Sequence, residues 1–420
     1  MAANSPVYGF LLSTANRLGD SSTNIFRSNE ADIVDTVTRR QSGEPVRLLS
    51  VVGARPNFMK LAPLVTELSK LPEFRHRLVH TGQHYDDQLS GSFFQQLGLP
   101  RPDVNLEVGS GTHAAQTAEV MKRIEPVIEH YKPAAVLVVG DVNSTLAAAL
   151  VAAKMKIPVA HIEAGLRSFD LTMPEEINRR LTDAVSDFLF VTERSGVDNL
   201  LREGVSRTKI FLVGNVMIDC LLRHRKLASQ SNLLTDLGIR KKGLPVRDYG
   251  VLTLHRPSNV DDAKVLRGIL EAIGEIAQDF PIFFPVHPRT QRNLERFRLT
   301  RLTSNALDRP ASGLVLLEPL GYLDFLALND AARIVFTDSG GIQEETTVLG
   351  VPCLTLRNNT ERPATIVRGT NHLVGVDPDR IVSAARSALA GVRRMKRRPP
   401  LWDGRAAERI VAVLHRRLVD

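Results

Sequence analysis

The chain has 420 residues, 43% of them apolar and only 5% aromatic, with a net charge of +8. That length exceeds one ordinary core and suits two domains of roughly 150–200 residues each. Few aromatics beside abundant Ala, Val, Leu and Ile argue against an all-β fold, and no apolar run reaches the ~18 residues of a membrane span.

Residues 1–45 read as a loosely ordered N-terminal extension, rich in Ser, Asn and Thr, with Tyr8-Gly9-Phe10-Leu11-Leu12 as its one apolar cluster. No basic region precedes that cluster, and Asp20, Glu30, Asp32 and Asp35 argue against a transit peptide. From there a short apolar run, a loop and a helical stretch alternate. The runs Leu48–Val52, Ala134–Val139, Ile157–Ile162, Phe188–Thr192 and Ile210–Val213 predict the strands of a first Rossmann-like lobe, residues 46–218. After a helix near Cys220–Ala228 the series restarts with Val251–Leu254, Ile282–Val286, Leu314–Leu317, Ile334–Thr337 and Cys353–Leu356. These predict a second Rossmann-like lobe, residues 219–398. Residues 399–420 hold a final helix, about Gly404–Leu418, expected to pack back on the first lobe. The fold class is therefore α/β, with two lobes facing a cleft.

Cys220 and Cys353 lie far apart with no CxxC or Cys/His cluster, so neither a disulfide framework nor a metal site is supported, and a reducing cytoplasm is expected. The basic run Arg393–Arg398 lacks interleaved aromatics and reads as a solvated linker, not a nucleic-acid module. Overall basicity suits a substrate that carries a diphosphate.

Ligands in open α/β sheets sit at the carboxyl ends of the strands, so the polar residues there are the candidates. Ser339-Gly340-Gly341 follows a strand and opens a helix, where backbone amides and the helix dipole favour an anion. A plain helix N-cap with Glu344 and Glu345 in the first turns competes with that reading. Arg55 and Lys60, in Gly53-Ala54-Arg55-Pro56-Asn57-Phe58-Met59-Lys60, are placed to reach a diphosphate, although a lone lysine is usually a solvated face. Neither lobe opens with a P-loop or a GxGxxG fingerprint, so no nicotinamide cofactor is expected. Asp141, Glu163 and Glu175 fall at the first-lobe strand ends or the helix start beyond them. Carboxylates sharing a cleft can supply an acid and a base; helix capping is the competing reading for Asp141 and Glu175. His255 and His287 end two second-lobe strands, where a histidine can assist a phosphate leaving group or simply be a hydrogen-bonded loop residue, the latter being favoured for His287.

Ten ordered motifs, GARPNFMKLAPL, TGQH, GDVNSTLA, HIEAGLRS, MPEEINR, GNVMID, LHRPSN, PVHPRT, TDSGGIQEE and TERPAT, carry a resemblance that covers about residues 47–418. In these the chain resembles the non-hydrolysing UDP-N-acetylglucosamine 2-epimerases. The resemblance implies the two-lobed fold of many nucleotide-sugar glycosyltransferases (the GT-B type), a UDP-sugar substrate, a homodimer and no cofactor. It implies reversible epimerisation at C2 by loss of UDP, a 2-acetamidoglucal, and re-addition. Carried over residue by residue, it assigns Asp141, Glu163 and Glu175 as the acid/base set and His255 to the departing diphosphate. It assigns Arg55, Lys60, Arg167, Phe325, Ser339, Gly340, Gly341, Glu345 and Arg362 to the UDP-sugar, and Gln83 and His84 to an allosteric site. Asn57 and Asp86 depart from the pattern of the best-known members. The same motif spellings occur in relatives acting on diacetamido uronic acid sugars. A hydrolysing epimerase, a glycosyltransferase of this fold and a non-catalytic nucleotide-sugar sensor are the competing readings.

Overall fold

A computed structural model describes residues 44–82, 97–240, 246, 248–305, 311–391 and 398–420. The expected extension, residues 1–45, lies almost wholly outside them, as do Gln83 and His84. Residues 43–420 form one compact unit.

Two seven-stranded sheets organise it. The first takes β1 (Val46–Val52), β2 (Phe74–His80), β3 (Val104–Asn105), β4 (Ala135–Val139), β5 (Val159–Ala164), β6 (Phe188–Val191) and β7 (Ile210–Leu212), in the order β3-β2-β1-β4-β5-β6-β7. Its helices are α1 (Arg55–Leu68), α2 (His113–Tyr131), α3 (Asn143–Lys154), α4 (Pro174–Val185) and α5 (Arg194–Arg202). All the strand pairs are parallel. Strands such as Ala135-Val-Leu-Val-Val139 are buried along their whole length, as an apolar run covered by helices on both faces must be.

α6 (Val216–Ala228) leads into the second sheet. It takes β8 (Gly250–Thr253), β9 (Pro281–Pro285), β10 (Ser304–Asn305), β11 (Gly313–Leu317), β12 (Ile334–Thr337), β13 (Cys353–Thr355) and β14 (Asn371–Leu373), in the order β10-β11-β9-β8-β12-β13-β14, again all parallel. The accompanying helices are α7 (Ala263–Ile276), α8 (Pro288–Arg296), α9 (Tyr322–Asp330), α10 (Gly340–Leu349), α11 (Pro363–Val367) and α12 (Pro378–Ala390). The doubly wound α/β class read from the apolar runs is the one observed. β2, β3, β10 and β14 were not among the runs: Phe74-Arg-His-Arg-Leu-Val-His80 alternates charge with apolar residues, and the others are only two or three residues long.

The strand order reverses between β1 and β4 in one sheet and between β8 and β12 in the other. Crevices open at the carboxyl ends of such strand pairs. A single apolar cluster runs from Leu48 and Leu137 of the first sheet, through Ile218 and Leu221 of α6, to Leu326 of α9 and Val348 of α10. The C-terminal helix α13 (Ala406–Leu418) joins it through Ile410 and Leu414, packing against α1 and α6. Asp219 of α6 caps α13, accepting from the backbone N–H groups of Ala406 and Ala407 at 3.1 and 2.7 Å. Trp402, just ahead of α13, is buried and donates its Nε1–H to the Thr192 carbonyl at 3.0 Å. Truncation of such an anchor to alanine costs about 3–5 kcal/mol. Among the described residues, no helix is long and apolar enough to cross a membrane.

Candidate functional site

The first sheet's switch point brings Lys60, Asp141 and Glu163 together. α1 opens right after β1 with Pro56 in its first turn and no side-chain cap from Ala54, which leaves its N-terminal N–H groups uncapped. One turn in, Lys60 is buried and its Nζ is ion-paired with Glu163 Oε2. Gly140, after β4, has φ +71°, and a Cβ there would lie 3.1 Å from Lys60 Nζ and 3.3 Å from Asn57 Nδ2. Only glycine meets both the backbone and the space requirements.

Glu163 is the penultimate residue of β5, which runs to Ala164, two residues beyond the expected strand end at Ile162. It has φ +78°, and the register of β5 on β6 shifts at this point. A non-glycine residue in that region carries roughly 1–3 kcal/mol of strain, which persists only where its surroundings hold it. Here the holding is ionic: Glu163 Oε2 meets Lys60 and Glu163 Oε1 meets Arg362 Nη2, with the carboxylate almost fully buried.

Asp141 is fixed from α4. Arg179 Nε donates to its carboxylate at 3.0 Å, and Asn178 Nδ2 donates to its carbonyl at 2.9 Å. Burial pushes the Asp141 carboxyl up, but Arg179, Lys60 and Arg362 outweigh that and hold it below the usual carboxylate range. Asp141 is therefore a carboxylate at neutral pH.

α4 is built inside out. Glu176, Arg179 and Asp183, spaced to share one helical face, are buried, whereas Ile177 and Leu181 are each 46% exposed. Glu176 accepts from the Ser168 N–H at 2.8 Å and pairs with Arg179. Asp183 takes His161 Nδ1 at 2.6 Å, the Gly165 N–H at 3.0 Å and Arg167 Nη1 at 2.7 Å. This polar face pins the loop after β5. Arg179 Nη2 is buried with no hydrogen-bond partner among the described residues, so one donor of a buried guanidinium beside Asp141 remains available.

Arg167, expected among the substrate-binding residues, is not brought to this group. Its guanidinium is consumed by Asp183 and by Glu203, at 2.8 and 2.6 Å, and it is buried. A loop arginine after a strand reads as a ligand donor, but this one folds back onto α4 and the end of α5. Arg55 begins α1, and its side chain lies outside the described residues. Phe325, half-buried on α9, packs on the apolar cluster of Tyr249, Val251 and Val335.

The second sheet contributes His255 and the start of α10. Asp338, buried at the end of β12, faces His255 Nδ1 at 2.8 Å. It also accepts the His255 and Arg256 backbone N–H groups and Asn259 Nδ2. Burial raises the Asp338 carboxyl, but its bonds with His255 and the Arg256 N–H bring it below the usual range. With Nδ1 on Asp338, His255 turns its Nε2 edge away from that carboxylate, and the side chain is 40% exposed. His287 accepts the Arg289 N–H on Nδ1 and lies 6.2 Å, ring to ring, from His255.

α10 begins without a side-chain cap from Ser339, the arrangement that leaves N–H groups for an anion. A Cβ on Gly340 would come within 2.6 Å of Glu361 Oε1, so a side chain there would have to displace the Glu361 carboxylate from Arg357; Gly341 has ordinary room, 3.7 Å from Met217. Glu361, bound by Arg357, is held well below the usual carboxylate range by Arg362, Arg357 and Arg179 against the effect of burial. Inside α10, burial pushes Glu345 up to about 8, aided by the charge of Glu344. Burial likewise raises Glu344 to about 7, with Arg362 opposing.

Contacts between the two sheets' elements at the cleft are polar. Arg362 reaches Glu163; Arg256 Nη1 reaches Glu175 at 3.2 Å; Asn359 reaches Asp170 at 3.4 Å; and the Ala364 N–H reaches Glu193 at 3.3 Å. Asp141, Glu163, Glu175, Lys60, His255, Ser339, Gly340 and Arg362 thus belong to one connected region. Glu344, read from sequence as a first-turn acidic residue, joins it, as do Asp338, Arg179 and Glu361, which were not singled out from sequence.

Known proteins resemble the chain over most of its length. The family model described as UDP-N-acetylglucosamine 2-epimerase matches residues 66–415. A UDP-N-acetylglucosamine 2-epimerase of Methanocaldococcus jannaschii is 44% identical over 372 residues, covering 88% of this chain and 99% of that protein. A UDP-2,3-diacetamido-2,3-dideoxy-D-glucuronate 2-epimerase of Pseudomonas aeruginosa is 43% identical over 348 residues, 82% of this chain and 92% of that one. The crystal structure of the M. jannaschii UDP-GlcNAc 2-epimerase in complex with UDP-GlcNAc and UDP superposes with a TM-score of 0.80 at 43% identity, covering 88% of this chain and all of that one. The chain belongs to the UDP-N-acetylglucosamine 2-epimerase family.

Proposed function

We propose that this protein interconverts UDP-N-acetylglucosamine and UDP-N-acetylmannosamine by eliminating and re-adding UDP. The observation that carries this reading is the meeting of acidic and cationic groups at the first switch point with a histidine from the second. In the proposed reaction the C1–O bond to the diphosphate and the C2–H bond break, and a C1=C2 double bond forms. Lys60, Arg362 and the open start of α10 hold the departing diphosphate, and His255, oriented by Asp338, meets its charge from Nε2. Asp141 and Glu163 move the C2 proton on one face, and Glu175 serves the other. Return of a proton to the opposite face and re-addition of UDP at C1 complete the epimerisation. Hydrogen leaves and returns as a proton, so no redox partner is required by the chemistry. The polar contacts closing the cleft serve to keep water from the glycal.

A second sugar is a serious competitor, because the diacetamido-uronate epimerase is as similar as the M. jannaschii enzyme. Incubation with each UDP-sugar in D2O, followed by NMR at C2, decides. Deuterium at C2 with UDP still attached is the expected result for UDP-N-acetylglucosamine; free sugar would mean hydrolysis, and no exchange on either sugar would refute the epimerase reading.

We also propose a homodimer. The outward apolar face of α4 supports it: Ile177 and Pro174 line a cavity of about 430 Å³ with Met121 and Ala118 of α2. Light scattering on wild type and Leu181→Arg tests it, with a monomeric wild type as the refuting outcome. Buried free thiols at Cys220 and Cys353 fit a reducing cytoplasm.

A further inference from the structure

The cations assigned to the diphosphate are already engaged. Lys60 Nζ sits on one oxygen of Glu163, and Arg362 Nη2 sits on the other. All three side chains are buried. Arg362 also faces Glu344 of α10 through Nε, and Asp141 and Arg179 complete the charged surroundings. A cation on each oxygen makes the Glu163 carboxylate a weaker base toward a C2 proton, and the donors of Lys60 and Arg362 turned toward it must be re-aimed to meet a phosphate. The two functions assigned to these side chains therefore compete in this arrangement.

We propose that Glu163 is a latch on the anion-binding cations, opened by the diphosphate of the incoming nucleotide, which takes Lys60 and Arg362 and thereby frees the Glu163 carboxylate to act at C2. The inference rests on the reading above that Lys60 and Arg362 bind the diphosphate. The exchange is chemically balanced: one anion replaces another on the same two cations, and no bond to carbon is involved. A diphosphate brings more charge and more acceptor oxygens than a carboxylate, so it prevails when bound. The backbone is compatible with the design, since the residue that makes these two contacts sits at φ +78°. The enzyme's base is thus exposed only when a nucleotide is present to use it.

The latch makes Glu163 a competitor of the ligand, which gives the opposite binding result from a residue that helps hold UDP. Affinity is reduced by the fraction of protein in which the site is closed to the ligand. Calorimetric titration of wild type and Glu163→Gln with UDP and with uridine tests this. Glu163→Gln is expected to bind UDP about tenfold more tightly, with uridine affinity unchanged, since only the diphosphate competes. In a Lys60→Met background most of that gain should disappear. Equal or weaker UDP binding by a folded Glu163→Gln would overturn the latch, as would an equal gain for uridine. If Glu163→Gln does not fold, Glu163→Asp, whose shorter carboxylate cannot span both cations, must show the same direction. Epimerase activity is decided separately by C2 exchange in the wild type, so failure of the latch and failure of the enzymatic reading give different results.

Discussion

Asp338→Asn removes one charge from beneath His255 while keeping the size of the side chain. In the native protein the carboxylate holds His255 Nδ1 at 2.8 Å and the Arg256 N–H at 2.9 Å. The amide retains one acceptor oxygen, but its NH2 group can meet His255 only by donating to a deprotonated Nδ1, which forces the opposite tautomer and puts the proton on Nε2 without a counter-charge beneath the ring. The loss of one charge-assisted bond to the imidazole is about 2–3 kcal/mol. If all of it falls on the step in which charge develops on the diphosphate, turnover drops roughly 30–160-fold at 1.36 kcal/mol per decade. UDP binding should change by less than about threefold, because Asp338 orients the histidine and is itself buried away from ligand. The assay is steady-state turnover of the UDP-sugar with a parallel UDP titration. Native turnover in the variant would show that Asp338 does not position His255. A loss of UDP affinity equal to the loss of turnover would show that it only supports the local fold.

The other expectations can be stated briefly. Asp141→Asn should lower turnover by about 10²–10⁴-fold, the share of one general acid or base, with UDP binding retained by calorimetry; full activity would remove Asp141 from the acid/base set. Arg167→Met leaves Asp183 and Glu203 without their cation, so it should destabilise the protein by about 3–5 kcal/mol in urea unfolding. The folded fraction should keep its KM, and a KM effect without destabilisation would restore Arg167 to the substrate site. Glu345 is raised to about 8 by burial, so the folded state holds a proton that the unfolded chain releases near its ordinary carboxylate value. That stability is complete below the unfolded pKa and is lost as pH rises through about 8. Melting temperatures from pH 5 to 9 should therefore fall in wild type and flatten in Glu345→Gln; parallel curves would contradict the assignment.

The fold was legible because fully buried parallel strands are written as unbroken apolar runs such as Ala135–Val139, and the site because strand ends place polar residues at the switch points. Other features were hidden for identifiable physical reasons. Glu163 and Arg362 are 199 residues apart, and nothing local announces their pairing. α4 defeats the rule that a helix buries its apolar stripe, since it turns Glu176, Arg179 and Asp183 inward. A reader looking for Ile177 and Leu181 in the core finds the wrong face. The engagement of Arg167 was hidden for the same reason: its partners, Asp183 and Glu203, are visible only once α4 and the end of α5 come together. Asp338 carried a signal that could have been used, an acidic residue between a buried strand and a glycine pair, with a histidine at the equivalent end of the strand that becomes its neighbour in the sheet.

The two margins of the cleft are made of different materials. Behind it, the apolar cluster through α6 joins Leu137 to Leu326 and Val348 without interruption. In front, the margin is ionic, from Arg256 on Glu175 to Arg362 on Glu163. Added salt screens exposed charges such as the Arg256–Glu175 pair and leaves the greasy margin untouched or tighter. The molecule is therefore a clasp with an oily back and an electrostatic catch, and the sign of its response to ionic strength reports which margin yields first.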